Sequence, residues 1–364
     1  MKIAIVHDWL TNLGGGERVV ETLHRGYPDA PIYTSVYNAK SLNMLKDGTI
    51  KTSYLQRWPL SKRKHQFYPV LRTLAFEGFD FSDYDVVISS SSAESKGVIT
   101  NTETLHIAYI HTPTRYYWSG YNDYLKDPGF GLLDPLAKKM LALFVGKMRN
   151  WDYAAAQRPD VMVANSQTVS DRIKKYYNRD SHVVYPPVDT QRFKNKKAIE
   201  GDYYLVVSRL IPYKKVDLAV KACTQLNKKL IVVGDGSEKA SLKSTAGPQV
   251  QFISDADDAK VTGLYLNCKA FIFTAYEDFG ITAVEAMAAG KPVIAFGKGG
   301  ASESVLDNKT GLFFDEQSVQ SLAEAINKFE SLQFDAQEII DRAEEFSEAV
   351  FLDRVRAIIE NNKR

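Results

Sequence analysis

The chain has 364 residues, 45% hydrophobic and 25% charged, with 46 Lys and Arg against 44 Asp and Glu for a net charge of +2 at pH 7. That length suits two domains, and the balanced charge lacks the global field that would hold nucleic acid. No apolar run reaches the roughly 18 residues of a bilayer span. Cys223 and Cys268 belong to no metal or redox spacing and read as small buried groups.

The opening M-K-I-A-I-V-H-D-W-L is a short apolar run broken by His7 and Asp8. It predicts a first strand over Ile3–Val6, not a signal peptide, and places the protein in the cytoplasm or on a membrane surface. The following N-L-G-G-G-E-R-V opens a helix. Val19 stands where the dinucleotide fingerprint needs its last glycine, yet a triple glycine still lets a backbone approach a ligand phosphate or sugar. Further strands are predicted over Val86–Ser89, His106–Ile110 and Val161–Ala164. His111 ends H-I-A-Y-I just before T-P-T-R-Y-Y-W, an address open to a packed core histidine or to one facing a ligand. His7 has a similar address without a supporting motif. His24, His65, His106 and His182 show no metal-ligand spacing. Residues 57–68 and 132–151 mix basic with aromatic or apolar residues, as a surface meeting anionic lipid would. Leu136, Met140 and Leu143, at helical spacing, fit a core-facing stripe equally well, with Lys138, Lys139 and Lys147 in water.

Two prolines in Y-P-P-V-D-T, residues 185–190, stop this alternation, and the basic stretch K-N-K-K follows at 194–197. It restarts with strands over Tyr203–Val207, Leu230–Val233, Val250–Ile253, Ala270–Phe273 and Pro292–Phe296. The expected division is a first α/β domain over 1–190, a second over 191–345, and a C-terminal amphipathic helix over 346–364 packing back toward the first.

After the strand ending at Ser208, R-L-I-P-Y-K-K sets Arg209 and Lys214 at a carboxyl edge, where a guanidinium and an ammonium suit a departing diphosphate. Farther on, Y-E-D-F-G-I-T-A-V-E-A-M-A-A-G-K-P predicts a helix over Gly280–Ala289, ended by Gly290 and Pro292. Glu277 precedes it, and Glu285 lies roughly 6 to 8 Å into it. The amides of Phe279, Gly280, Ile281 and Thr282 form an anion seat between them. Carboxylates beside such a seat would repel a phosphate unless they addressed hydroxyls of the same ligand. The competing reading has Glu277 and Asp278 complement the helix dipole while Glu285 is solvated. Gly297, Gly299 and Gly300 make a permissive turn or an ordinary loop. Asp255, Asp257 and Lys260 are available to a nucleotide base after Val250–Ile253.

The pairing of R-L-x-x-x-K at 209–214 with E-x7-E at 277–285 and A-M-A-A-G-K-P-V-I-A resembles the retaining GT-B glycosyltransferases of family 4, group 1, across nearly the full chain. H-D-W-L-x-x-x-G-G-G-E-R, H-T-P-x-R-Y, A-N-S-Q-T-V and Y-P-P-V-D-T further resemble a bacterial subgroup containing mannosyltransferases of O-antigen and exopolysaccharide assembly. The resemblance implies an α/β GT-B fold, two Rossmann-like domains facing across a cleft. It assigns Glu277 and the backbone after it to donor-sugar hydroxyls, Glu285 to the ribose, Arg209 and Lys214 to the leaving diphosphate, His111 to the sugar, and Gly15 and Gly16 to the donor phosphates. Lys215 departs from the glycine of many members and leaves open which lysine serves the phosphate.

Also implied are GDP-mannose as donor, with a UDP-sugar as the alternative, a glycan or lipid-linked acceptor, and neither metal nor cofactor. Front-face substitution would proceed with a leaving-phosphate oxygen accepting the acceptor proton. The rivals are a glycoside hydrolase using Glu277 and Glu285, a non-catalytic GT-B partner protein, and an epimerase or phosphorylase of related architecture.

Overall fold

The structure is a computed structural model that describes residues 1–12, 14–40, 42, 45–64, 68–126, 131, 134–196, 198–199 and 201–363, apart from the side chains of 63, 64 and 123. Two compact units divide it. The first comprises Met1–Tyr185 with Leu352–Arg364, and the second Pro186–Phe351.

The first unit is built on strands β1 Ile3–His7, β2 Ile32–Thr34, β3 Ile50–Thr52, β4 Val86–Ser91, β5 Leu105–Ile110, β6 Val161–Ala164 and β7 His182–Val183. They form a parallel sheet in the order β3-β2-β1-β4-β5-β6-β7. β1 runs between β2 and β4, with His7 opposite Thr34 and Ser90. The strand order reverses there, so the carboxyl edge of β1 and β4 is the switch point where open α/β sheets bind ligands. Ala4, Val6 and Val87 pack with Tyr33, Phe76 and Phe81 on one face. Such near-continuous apolar strands are what a sheet covered on both faces requires.

The second unit repeats the plan with β8 Tyr203–Val207, β9 Lys229–Val233, β10 Val250–Ile253, β11 Ala270–Phe273, β12 Val293–Phe296 and β13 Gly311–Phe314, in the parallel order β10-β9-β8-β11-β12-β13. Its switch point lies between β8 and β11. Cys223 is buried in the core with Val206, Leu230, Ile272 and Ile294. Burial pushes the thiols of Cys223 and Cys268 up to about 12, so both behave as apolar filler.

Buried polar groups fix the loops at the first switch point. Asp8, just beyond β1, accepts hydrogen bonds from the amides of Ser92, Ala93 and Ser95 at 2.6, 2.9 and 2.7 Å, tying the turn after β4 to β1. The Lys96 ammonium meets the Asp152 carboxylate at 2.6 Å, and that carboxylate also accepts from Thr114, Trp118 and Tyr177. A buried ion pair persists only when its remaining lone pairs are satisfied in this way. No helix among the described residues is long and apolar enough to cross a membrane.

Candidate active site

In the second unit, β8 ends at Val207, and the chain turns through Arg209 into the short 3-10 helix Pro212–Lys214. The Arg209 guanidinium donates to the Tyr213 hydroxyl at 3.1 Å, and the Lys214 ammonium lies 5.3 Å from the centre of the same ring. One aromatic residue therefore gathers both cations. Lys215 takes a left-handed conformation, φ 52°. Glycine adopts that geometry without strain, whereas a lysine there carries some. Lys214, not Lys215, reaches the acidic side of the site: its Nζ contacts Glu277 Oε1, and its carbonyl accepts from Thr274 Oγ1 at 2.9 Å.

Glu277 lies in the loop between β11 and the helix Ile281–Ala288, which starts one residue later and ends one earlier than predicted. Gly280 caps it at φ 95°, and a side chain there would strike the Phe273 ring. The leading amides of Ile281 and Thr282 have no intrahelical acceptor, the usual property of a helix start. The F-G-K-G-G turn braces this loop. Gly300 N donates to Glu277 O at 2.9 Å, and a Cβ on Gly300 would sit 2.1 Å from Phe279 Cα. Glycine is needed there for close approach to the loop's own backbone.

Glu285 is buried, against the alternative of a solvated residue. Its carboxylate accepts from Tyr265 OH at 3.0 Å and faces Arg192 Nη1 at 3.3 Å. Arg192, from the short helix Gln191–Phe193, also lies against the Phe193 ring, while its Nε and Nη2 are buried with no hydrogen-bond partner. Sequence reasoning missed Arg192 and Tyr265, because nothing in D-T-Q-R-F points to a helix some ninety residues on, and Tyr265 reads as one more apolar residue of its own helix. Of the residues offered for base recognition, Asp257 is committed elsewhere: it caps the helix Asp258–Asn267 by accepting from Lys260 N at 2.7 Å.

His111, Gly15 and Gly16 belong to the first unit, at its switch point. The helix Gly15–Gly26 begins at the triple glycine. A Cβ on Gly16 would lie 3.2 Å from His7 Cε1 and 3.5 Å from His111 Nε2, and one on Gly14 would lie 2.9 Å from a Glu17 carboxylate oxygen. The glycines thus make room for two imidazoles and a carboxylate. Ser90 Oγ is 2.7 Å from His111 Nε2 and 3.1 Å from His7 Nδ1, and Glu17 Oε1 is 3.9 Å from His7 Nε2. Burial pulls the His7 pKa down, but Glu17, Asp8 and the Ser90 carbonyl outweigh it and hold the imidazole above its ordinary value. Glu17 stood in the quoted G-G-G-E-R string without a role, and Ser90, one serine in a run of four, carried no sequence signal. Among the described residues, no group of three or more His, Cys, Asp or Glu is gathered as a metal site would be.

Two family models match in succession: Glycosyltransferase Family 4 over residues 13–192 and Glycosyl transferases group 1 over residues 187–346. Together they take in nearly the whole chain. The chain belongs to the family 4, group 1 glycosyltransferases. It is 25% identical over 395 residues to the alpha-1,3/1,6-mannosyltransferase ALG2 of Dictyostelium discoideum, covering 90% of this chain and 89% of that protein. It is 28% identical over 198 residues to a GDP-mannose-dependent alpha-(1-6)-phosphatidylinositol monomannoside mannosyltransferase of Mycobacterium tuberculosis, covering 46% of this chain and 51% of that protein. These matches span between about half and about nine tenths of the curated relatives' length. Among solved structures, Anabaena Alr3699/HepE in complex with UDP-glucose superposes with a TM-score of 0.72 at 19% identity, over 99% of this chain and all of that one. The fold of this glycosyltransferase is GT-B.

Proposed function

We propose that the enzyme transfers mannose from GDP-mannose, with retention, to a hydroxyl of a glycan or lipid-linked acceptor in the assembly of a bacterial surface polysaccharide. One observation carries the reading: Arg209 and Lys214 are gathered on Tyr213 beside Glu277, at the start of a helix that seats anions. Cations stabilise a departing diphosphate, and a carboxylate addresses the hydroxyls of the sugar it carries.

In this reading Glu277 and the backbone from Phe279 to Thr282 bind the transferred sugar, and Glu285, held by Arg192 and Tyr265, receives the ribose hydroxyls. In the first unit, His111 is assigned to the sugar and Gly15 and Gly16 to the donor phosphates. Residues 1–190 then serve the acceptor side, 191–345 the donor side, and the helix from 346 returns to the former. An oxygen of the leaving phosphate accepts the acceptor proton, so no dedicated protein base is needed. Mannose and guanine are supported by the subgroup strings and by the two mannosyltransferase relatives. A UDP-sugar is the second reading, favoured by the UDP-glucose bound to a protein of the same fold.

We also place the enzyme at the cytoplasmic face of an anionic membrane. On the helix Asp134–Ala155, Leu136, Met140 and Leu143 are 59%, 47% and 68% exposed, so the stripe does not face the core, and Lys139 and Lys147 are exposed beside it. Trp58 and Leu60 of the other basic segment are also exposed; residues 65–67 of that segment, like 132 and 133 of this one, lie outside the described residues.

A thermal-shift panel of GDP, UDP, ADP and their sugars tests the donor. Stabilisation by GDP species alone is expected, a shift with UDP species replaces the donor, and no shift with any nucleotide favours a non-catalytic role. Sedimentation with anionic vesicles at low salt tests the membrane face, and no binding would dispose of it.

A further inference from the structure

Four side chains, from three elements and the turn after β5, meet at the first switch point, and the hydrogen bonds among His7, Ser90 and His111 fix where the protons lie. His7 Nδ1 is 2.9 Å from the Ser90 carbonyl oxygen. A carbonyl only accepts, so Nδ1 carries a proton. That N–H is shared with Ser90 Oγ at 3.1 Å, which there acts as an acceptor. The Ser90 hydroxyl has one proton to give, and the one acceptor shown within its reach is His111 Nε2 at 2.7 Å. His111 Nε2 is then an acceptor, and its ring proton sits on Nδ1.

We propose that Glu17, His7 and Ser90 form a proton-ordered relay that positions His111 as a neutral imidazole protonated on Nδ1, so that it serves the transfer reaction as a hydrogen-bond donor and not as a base at Nε2. The proposal deepens the transfer reading for His111 and rests on it for the reaction alone; the proton order follows from geometry. Every charged or titratable group shown to face His7 agrees with it. Glu17 lies 3.9 Å from Nε2 on the helix Gly15–Gly26, Asp8 follows His7 in the chain, and the His111 ring lies edge-on with centroids 6.3 Å apart. The two carboxylates favour a doubly protonated His7, which removes any lone pair from Nδ1 and makes the direction of the Ser90 hydroxyl unique. The Ser90 carbonyl is fixed in turn by Ser95 Oγ at 3.0 Å. Ser90 and His7 are positioning residues, and the triple glycine admits the whole group.

Long-range proton–nitrogen spectra of the full chain labelled with nitrogen-15 in histidine read each ring's tautomer directly. In the wild type, His111 is expected with its proton on Nδ1 and a lone pair on Nε2, and His7 with both nitrogens protonated at pH 6. Ser90→Ala should return His111 to a mixture of tautomers and lower kcat about tenfold with donor KM unchanged, and Ser90→Thr should restore both. A wild-type His111 protonated on Nε2, or a Ser90→Ala spectrum identical to the wild type, overturns the relay. Because the spectra need no substrate, they succeed or fail independently of the transfer reading, which the nucleotide panel tests separately. Should Ser90→Ala fail to fold, Glu17→Gln replaces it, with His7 expected to lose its second proton at a lower pH than in the wild type.

Discussion

The two switch points solve the same problem with opposite means. In the second unit, charges are paired with one another: Lys214 with Glu277, Arg192 with the buried Glu285, and Arg209 on a tyrosine hydroxyl. In the first, His7, Glu17 and Ser90 are buried, and the one serine orders both imidazoles by hydrogen bonds. A site that exchanges one charged ligand for another needs partners it can release, whereas a site that orients a sugar needs donors that stay still. The contrast teaches that the mutable chemistry lies on the charged edge and the precision on the buried one.

The strongest way to break this contrast is at the charged edge. Glu277→Ala and Lys214→Ala are each expected to lower turnover by about 10²-fold or more with an unchanged circular dichroism spectrum, and wild-type turnover in either would refute the assignment. Next comes the buried pair of the same unit. Arg192→Met leaves Glu285 with Tyr265 alone, and urea unfolding should show a loss of about 3 kcal/mol together with a raised KM for the donor. An unchanged denaturation midpoint would show that the pair is not structural.

The buried edge is sharpened by pH. His106, against Ser89 in the middle of the sheet, is held down to about 3 by burial, with Arg158 and Arg179 adding to the effect. The unfolded chain takes up that proton below 6.5 and the fold refuses it, so stability should fall as the pH drops, by on the order of 2 kcal/mol at pH 5. His7 has the opposite sign. Its folded pKa is raised above 6.5, so its contribution is complete below that pH and is lost as the pH rises through the folded value. Denaturation curves from pH 5 to 8 should therefore lose the upper part of this dependence in Glu17→Gln and keep the lower. At Gly300→Ala a methyl group would meet backbone atoms of Asp278 and Phe279 at 2.1 to 2.5 Å, so the loop itself must move; urea unfolding should show a loss of about 3 kcal/mol or more, together with weakened donor binding.

The sequence exposed the long apolar strands and the charged motif because each has a local period or a compact spacing. β1, β4, β5, β6 and β8 through β12 all appear within a residue or two of their expected limits. β2, β3 and β7, with two or three residues each, are too short to show a period, and β13 is a run of four after a polar turn. Lys214 and Glu277 were legible as a spaced pair. Arg192, Tyr265, Glu17 and Ser90 were not, since each acquires its role only when distant segments fold together. The triple glycine was visible, but the reason for two of its members, room for Glu17 and the histidines, needed coordinates.

Residues 352–364 belong with the first unit, and Leu352 packs so closely on Gly26 that a Cβ there would come within 2.5 Å. A ribosome makes Gly26 early and Leu352 more than three hundred residues later. The unit synthesised first is therefore finished last: until its closing segment emerges, the growing polypeptide shows the apolar surface around Gly26 to the cell. A fragment released at Tyr185 would never cover it, so premature termination should yield chaperone clients in place of a free-standing half enzyme.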